Sequence, residues 1–267
     1  MKEIPFPDGV MPLEIFVGSI GKDRVTEAAD GRPGVVDYGF NYTDRPVSLF
    51  LRIKAKDKID FRLLRNEVFA TFDVGNSFYV AESDVPSRVL KVVVDESYIP
   101  DRLTEEYADF DINCRTLDSV FWESKYTTLE LHDSGYSATA EKYGLVDNID
   151  DEKVKYRFTE SNFSVYNAGN VTVEPESMSL NIFVSTVQST NNFTIRNKTT
   201  GEEIVLKRAS AGSHYRVQGM VISLGSITNI FRDTNRRFIS LAPGDNEFEI
   251  LNGTFSEIRF EFKFLYK

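Results

Sequence analysis

The sequence predicts a mostly β, two-domain fold, with an N-terminal β-rich domain that holds one α-helix (residues 1–150) and a C-terminal β-sandwich (residues 151–267). Three observations predict it. Apolar residues recur with a period of two in many short segments, one segment has a helical period, and an acidic, weakly apolar stretch at Asp147–Lys155 reads as a linker. A chain of 267 residues can bury two cores without a metal or a disulfide.

The strand prediction rests on alternation of apolar and polar side chains, which buries one face of a strand and exposes the other. This alternation occurs in Phe110–Cys114 and in Met178–Val184, and it is clearest at the end of the chain. There the apolar positions are Ile258, Phe260, Phe262, Phe264 and Tyr266, set against Glu257, Arg259, Glu261 and Lys263. Val89–Val94 is almost continuously apolar, which predicts a central strand covered on both faces.

One amphipathic helix is predicted over Asp60–Phe72, because apolar side chains recur there at spacings of three and four. These side chains are Phe61, Leu64, Val68 and Phe72. The helix is expected to end by Asp73, since residues 74–76 read Val-Gly-Asn, which is typical of a turn.

After the linker, about eight short strands fit into roughly 110 residues, which is the spacing of a β-sandwich. The turn signals between them include Asn167–Asn170, Asn197–Gly201 and Ala242–Asn246. All of these turns are short, so we expect no long insertion in the second domain.

Charge and composition exclude several classes of function. The formal net charge is −10, from 41 acidic and 31 basic residues, which argues against binding of nucleic acid through phosphate contacts. With Cys114 as the one cysteine and two histidines, neither a disulfide nor a Cys- and His-based zinc site is expected. The start of the chain does not resemble a signal peptide, and no segment has the ~18 apolar residues of a membrane span. We therefore expect no cofactor, no metal and no membrane partner.

The candidate catalytic groups do not predict an enzyme. His132–Ser134 has the residue types of a triad, but adjacent residues in a turn point apart. Glu105–Glu106 and Asp150–Asp151 are typical of a solvated surface, although glycoside hydrolysis also uses two carboxylates. Asp147–Glu152 could supply oxygen ligands to calcium, yet it lacks the glycine and terminal glutamate of an EF-hand loop. Gly18–Lys22 lacks the first glycine of a phosphate loop.

Aromatic residues make up 13% of the chain, and most of the 21 Phe fall on the apolar phase of strands. This favours a role in the core over a platform for stacking sugars. Trp122 and Tyr126 lie in a segment without clear periodicity and are the better candidates for an exposed contact surface, but packing under a loop is the favoured interpretation. We interpret His214 as a strand or loop histidine.

Several short segments of the second half follow one another in a specific order and spacing. They are Phe163–Asn170, Val173–Pro175, Ile195–Gly201, Phe231–Arg236, Leu241–Asn246 and Phe260–Tyr266. Over residues 155–267 this order resembles the C-terminal domain of siphophage distal tail proteins. The first half is similar to the same family through Asp30–Gly34 before a strand, and through the order strand, helix, strand over Leu49–Val94.

The resemblance implies a structural protein of the virion tail tip or baseplate, assembled in the host bacterial cytoplasm. It implies a homohexameric ring of N-terminal domains from which galectin-like β-sandwich domains project. The ring would join the tail tube protein to a tail-associated lysin, a tail fibre hub or a receptor-binding protein. The short turns of the second half argue against the long arm that holds receptor-binding proteins in some relatives. DNA would pass through the lumen without specific binding, and six chains at −10 sum to a formal −60.

Gly31, Arg32, Pro33 and Gly34 are the candidate subunit-contact residues. The segment Gly18–Gly34 holds five glycines or prolines among charged residues, so it has too few apolar groups to pack a core of its own. We expect an extended arm or hairpin near a subunit contact, and not a ligand pocket.

The alternative to a structural hub is a carbohydrate-binding module that contributes to attachment to the host cell wall. Fold analogy alone supports this alternative, because sugar sites are grafted onto folds and are not implied by them. An enzyme is the third hypothesis, and it would need a pocket of converging polar groups that the sequence does not predict.

Overall fold

The computed structural model describes residues 5–31, 33–73, 77–94, 96–134, 149–227 and 229–267. The chain divides into two compact units: unit 1 is Met1–Glu82 with Leu90–Phe121, and unit 2 is Ser83–Val89 with Trp122–Lys267. The abundance of strands confirms the mostly β prediction. In this division, residues 122–134 belong to the same compact unit as the second half of the chain. The domain boundary at residue 150 stays a prediction.

In its described residues, unit 1 contains a β-sheet, a separate two-stranded sheet and one helix. Its strands are β1 (Val10–Val17), β2 (Lys22–Ala28), β3 (Val35–Tyr42), β4 (Pro46–Lys54), β5 (Phe78–Glu82), the end of β6 (Val85–Val93), β7 (Asp101–Arg102) and β8 (Tyr107–Thr116). Within the sheet the order is β1-β4-β8-β6, with β7 paired to β8, while β2 and β3 form a separate two-stranded sheet. Alternate residues of β4 and β8 are buried, which confirms the predicted strand at Phe110–Cys114. Val89 and Leu90 are both buried, as expected of a strand covered on both faces.

The helix of unit 1, α1 (Lys58–Phe72), begins two residues before the predicted start. The Asp57 carboxylate caps it, because Oδ1 accepts the backbone N–H groups of Ile59 at 2.7 Å and Asp60 at 2.8 Å. The buried side chains are the four that the helical period selected: Phe61, Leu64, Val68 and Phe72. The predicted turn at residues 74–76 lies outside the described residues.

Unit 2 is built from two antiparallel sheets and a short third group of strands. Its strands are β9 (Trp122–Ser124), β10 (Arg157–Phe158), β11 (Asn162–Asn167), β12 (Leu180–Ser189), β13 (Phe193–Asn197), β14 (Glu202–Leu206), β15 (Ser210–Gln218), β16 (Val221–Leu224), β17 (Gly244–Leu251), β18 (Glu257–Phe262) and β19 (Leu265–Tyr266). Short 3-10 helices span Asp151–Lys153 and Phe231–Asp233. One sheet has the order β10-β18-β12-β15-β16 and the other β11-β17-β13-β14.

The two sheets of unit 2 pack face to face as a β-sandwich. The ring of Phe260 on β18 lies 4.9 Å from Phe248 on β17 and 5.8 Å from Phe163 on β11, measured between centroids. All the apolar positions predicted for the last strand are buried, but the strand ends at Phe262. The next residues leave the sheet, and Leu265 and Tyr266 pair with β9. The closer likeness to a galectin stays a prediction.

Residues 128–134 are helical, and hydrophobic periodicity did not predict this helix. Thr128 anchors it to β18, because its Oγ1 donates to the Phe260 carbonyl at 2.9 Å and accepts the Phe262 N–H at 3.1 Å. The acidic linker was predicted from Asp147, and within its described part Val154 is buried. In the described ranges no helix is long and apolar enough to cross a membrane.

Buried asparagines hold the turns of the four-stranded sheet. Asn246 is fully buried, and its Nδ2 donates to the Ala242 carbonyl at 2.8 Å while its Oδ1 accepts the Ala242 N–H at 2.9 Å. The same Oδ1 accepts Nδ2 of Asn197 at 3.2 Å. Each amide replaces backbone partners that the turn leaves unsatisfied.

Candidate functional site

The hairpin of β2 and β3 is the most exposed paired structure of unit 1. Lys22 pairs with Tyr42 at its base, and Ala28 pairs with Val35 near its tip. All seven residues of β2 are exposed, and among the apolar side chains Val35 is 64% exposed and Tyr38 63%. A two-stranded hairpin is marginally stable alone in water, and grouped exposed apolar side chains mark interaction sites. The hairpin therefore presents a group of apolar side chains to solvent.

The side-chain contacts within the hairpin lie near the surface. Arg24 forms an ion pair with Asp37, and the Lys22 ammonium lies 4.8 Å from the centroid of the Phe40 ring. Phe40 packs edge-on against Tyr42 at 5.2 Å between centroids. Exposed pairs of this kind contribute about 1 kcal/mol or less each, so they shape the hairpin more than they stabilise it.

The predicted contact residues lie at the tip of this hairpin. Gly31, Pro33 and Gly34 are exposed, and Arg32 lies outside the described residues. Gly31 has φ +78° and Gly34 has φ +88°, and no atom lies within 4 Å of the place where a Cβ would stand. Backbone conformation, and not crowding, therefore favours glycine at both positions. The hairpin is present as expected, and its role as a subunit contact stays a prediction.

The base of the hairpin is fixed, in contrast to its tip. The Gly21 carbonyl accepts the Thr43 N–H at 3.0 Å, and Arg45 Nε donates to the Gly18 carbonyl at 2.7 Å. A Cβ on Gly21 would lie 2.1 Å from Thr43 Oγ1, so a larger residue there would force the Thr43 side chain to move. Burial lowers the pKa of the Arg45 guanidinium from its ordinary value, in accord with its position among these backbone groups.

A groove of about 530 Å³ lies beside this base, between β1, β4 and β8. Phe16, Gly18, Pro46 and Cys114 are among its lining residues. Burial raises the pKa of the Cys114 thiol to about 12, so the thiol stays protonated at neutral pH and is a poor nucleophile. The groove is therefore better suited to contact with an apolar side chain than to catalysis.

The structure separates the side chains of His132–Ser134, which lie in the helical segment and not in a turn as predicted. His132 Nδ1 accepts the Tyr156 N–H at 3.4 Å. Asp133 pairs with Arg157 at 3.0 Å, and Ser134 donates to the Glu130 carbonyl. Each of the three side chains has its own structural partner, so they do not form a relay.

The other candidate groups are also placed in structural roles. Glu105 pairs with Lys58, and Asp150 Oδ1 accepts the Glu152 N–H at 3.1 Å. Residues 147–148 of the calcium candidate lie outside the described residues, and the described ones contain no cluster of three or more potential metal ligands. Trp122 is buried, in agreement with the favoured interpretation that it packs inside, although it lies in strand β9 and not under a loop, and Tyr126 is half-buried.

Sequence reasoning missed a line of side chains across the outer face of the five-stranded sheet, which we call the arginine row. It consists of Arg157, Arg259, Phe183 and Arg216, on four neighbouring strands. Alternation predicts each of them on a solvated face, but only the pairing of β12 with both β15 and β18 brings them into line. A depression of about 140 Å³ lies beside the row.

Comparisons with known proteins agree with this architecture. Residues 10–114 match the family described as the phage tail protein RIFT-related domain. The crystal structure of the Dit protein of phage SPP1, described as a paradigm of the hub adsorption apparatus in phages that infect Gram-positive bacteria, matches with a TM-score of 0.66. Sequence identity is 13%, over 97% of this chain and 95% of that chain. No curated protein matches the sequence.

Two structures of the phage p2 baseplate in its activated conformation, with strontium and with calcium, match at 10% and 11% identity. Each match covers 96% of this chain and 90% of the other, with a TM-score of 0.42. The class defined by residues 10–114 is a phage tail protein domain. Within that class, the predicted resemblance to siphophage distal tail proteins is confirmed by this domain together with the fold shared with the SPP1 protein.

Proposed function

We propose that the chain is a structural hub protein of a siphophage tail tip, which assembles as a homohexameric ring between the tail tube and the lysin or receptor-binding apparatus. The observation that carries the proposal is the β2–β3 hairpin, which lies inside the matched phage tail domain and exposes Val35 and Tyr38. The proposed partner of this hairpin is a second copy of the chain. A surface on one subunit that meets a different surface on the next generates a closed ring when the rotation between copies closes.

The surface that receives the hairpin is proposed to be edge strand β1 with the adjoining groove. Among the strands of the described residues, β1 pairs only with β4, so no described strand occupies its other backbone edge. Met11, Leu13 and Phe16 on this strand are exposed. An open, apolar edge strand is a template for pairing with another chain, so it complements an exposed hairpin.

In the assembled ring, the lumen is proposed to pass DNA without holding it. The net charge of −10 per chain disfavours phosphate contacts, and clustered basic residues would slow ejection by retaining DNA. The tail tube protein and the tail-associated lysin are the proposed axial partners. Weak DNA affinity at low salt is the expected result, and tight binding would contradict this lumen.

The ring is tested by native mass spectrometry and light scattering on the full chain. The wild type is expected to form a hexamer. The double variant Val35→Thr/Tyr38→Thr is expected to be monomeric, with each chain still folded. Met220→Thr/Val221→Thr is the matched control, because it replaces similarly exposed apolar side chains of unit 2 with the same residue type. A wild-type monomer at micromolar concentration contradicts the ring, and equal dissociation by both variants contradicts the role of the hairpin.

A further inference from the structure

The arginine row combines one aromatic ring with cationic groups on both sides. Across the sheet, Arg259 and Arg216 are the register partners of Phe183, and Arg157 is the partner of Arg259. On strands β12, β15 and β18, the residues just before and just after Phe183, Arg216 and Arg259 are buried. Side chains alternate between the two faces of a strand, so these three share the outer face. A half-buried ring flanked by guanidinium groups is therefore presented to solvent.

The cations of the row are not equally compensated. Arg259 Nε lies 3.2 Å from a Glu257 carboxylate oxygen, and Arg157 pairs with both Glu257 and Asp133. Arg216 is exposed and has no ion-pair partner among the described residues. In a chain with a net charge of −10, an uncompensated arginine beside an aromatic ring is a local positive site that can attract an anion.

Neutral hydrogen-bonding groups surround the ring. Ser185 and His214 line the depression beside Phe183, and Asn181 lies one position along the same face with its Nδ2 3.3 Å from Glu261. Amides, hydroxyls and carboxylates together can pair with the several hydroxyl groups of a sugar, which need both donors and acceptors. The C–H groups of a sugar ring carry partial positive charge that suits the negative face of an aromatic ring.

We propose that this face binds an anionic saccharide, with a sugar ring stacked on Phe183 and its phosphate or carboxylate paired with Arg216. The site goes beyond the structural hub role and does not depend on ring assembly. It gives the carbohydrate-binding alternative a defined location. Arg259 lies over the Phe183 ring at 5.5 Å to the centroid and is a positioning residue for the ring.

A saccharide fits the row better than a nucleic acid does. The row offers one aromatic ring, Phe183, whereas a single-stranded nucleic acid stacks successive bases on several rings. The carboxylates of Glu257 and Glu261 flank the row on β18, so the anionic group of a saccharide is directed to Arg216, two strands away. The depression of about 140 Å³ also matches one sugar ring more closely than a strand of stacked bases.

The proposal is tested with the full chain by isothermal titration. The probes are a sugar-bearing polyol phosphate polymer, polygalacturonate as the carboxylate polymer, neutral dextran, and a single-stranded oligonucleotide. At least one anionic glycan is expected to bind, and comparison of the two identifies phosphate or carboxylate as the anion. Arg216→Gln and Phe183→Leu are each expected to weaken binding about tenfold, whereas Phe183→Trp retains it.

Arg237→Gln is the control, because Arg237 is an exposed arginine of unit 2 outside the row. It is expected to leave binding unchanged, and thermal melting of each variant establishes that it is folded. Absence of binding to both anionic glycans at millimolar concentration would overturn the proposal. So would equal binding of dextran, tighter binding of the oligonucleotide, or an equal loss in Arg237→Gln. Binding by a monomeric chain would support the site while contradicting the ring, so the two proposals fail separately.

Discussion

The β2–β3 hairpin and the β12–β18 pair are both antiparallel strand pairs, yet they are stabilised in different ways. In β12 and β18 alternate side chains are buried against the second sheet, whereas no residue of β2 or β3 is buried. Burial of apolar area is the dominant favourable contribution to folding. The sandwich therefore holds its own strands in place, whereas burial of side chains contributes little to the hairpin within one chain.

The largest difference in stability between the two regions is expected when a phenylalanine is replaced in each. Phe260 is fully buried between the sheets of unit 2, and Phe40 lies exposed on the hairpin. Phe260→Ala is expected to lower the free energy of unfolding by about 3–5 kcal/mol, because it leaves a cavity. Phe40→Ala is expected to lower it by less than about 1 kcal/mol in the monomer. Urea denaturation followed by circular dichroism measures both, and similar losses would refute the contrast.

Buried polar groups should show the next largest effect. Asn246→Ala removes the amide that pairs with both Ala242 backbone groups and one of the hydrogen bonds of Asn197, so a loss of about 2 kcal/mol is expected. Asn162→Ala is the control, since Asn162 is exposed on the edge strand β11. It should change stability by less than about 0.5 kcal/mol. Equal urea midpoints for the two variants would show that the turn does not depend on the buried amide.

Replacing a glycine of positive φ by alanine introduces similar backbone strain in the sandwich and in the hairpin, so the two regions can be compared. Gly201 has φ +75° and Gly34 has φ +88°, and neither has an atom within 4 Å of an added Cβ. Gly201→Ala is expected to lower the global unfolding free energy by about 1 kcal/mol, because its turn joins two strands of the sandwich. Gly34→Ala should leave the urea midpoint unchanged and instead increase amide hydrogen exchange in the hairpin. A lowered midpoint in Gly34→Ala would show that the hairpin unfolds with the rest of unit 1.

The smallest effect concerns pH. Burial raises the pKa of Glu202, but hydrogen bonds from Ser240 and Thr200 outweigh it and place the pKa below its ordinary value of 4.5. A depressed pKa gives stability that is present above 4.5 and is lost as the pH falls through the folded-state pKa. Ser240→Ala should therefore cost up to about 1 kcal/mol at pH 7 and less in acid.

Ser256→Ala is the control for this measurement, since its hydroxyl donates to the Ser185 carbonyl at 3.2 Å. Its cost should not depend on pH over the same range. Urea midpoints at a series of pH values measure both variants. A cost for Ser240→Ala that stays constant from pH 7 to pH 3 would contradict the coupling to Glu202.

Much of the fold could be predicted because its helix and strands show regular spacings of apolar residues over short stretches of sequence. The spacing of Phe61, Leu64, Val68 and Phe72 selected the buried face of α1, and alternation selected the buried face of β18. The helix at residues 128–134 was missed because Thr128 holds it through hydrogen bonds to β18, and such a contact has no local period. Burial of Trp122 was the favoured interpretation, but its position in a strand was not predicted, since the pairing of β9 with β19 joins distant parts of the chain.

The sequence by itself determined the strand-rich fold class, the one long amphipathic helix and the glycine-rich hairpin tip, because periodicity and backbone preference act over a few residues. Only the tertiary structure decided which strands are neighbours. The register of β12 with β15 and β18 places Arg216, Phe183 and Arg259 in one row, although they lie far apart along the chain. Alternation tells which face a side chain occupies, but hydrogen-bond register between distant strands decides what lies beside it.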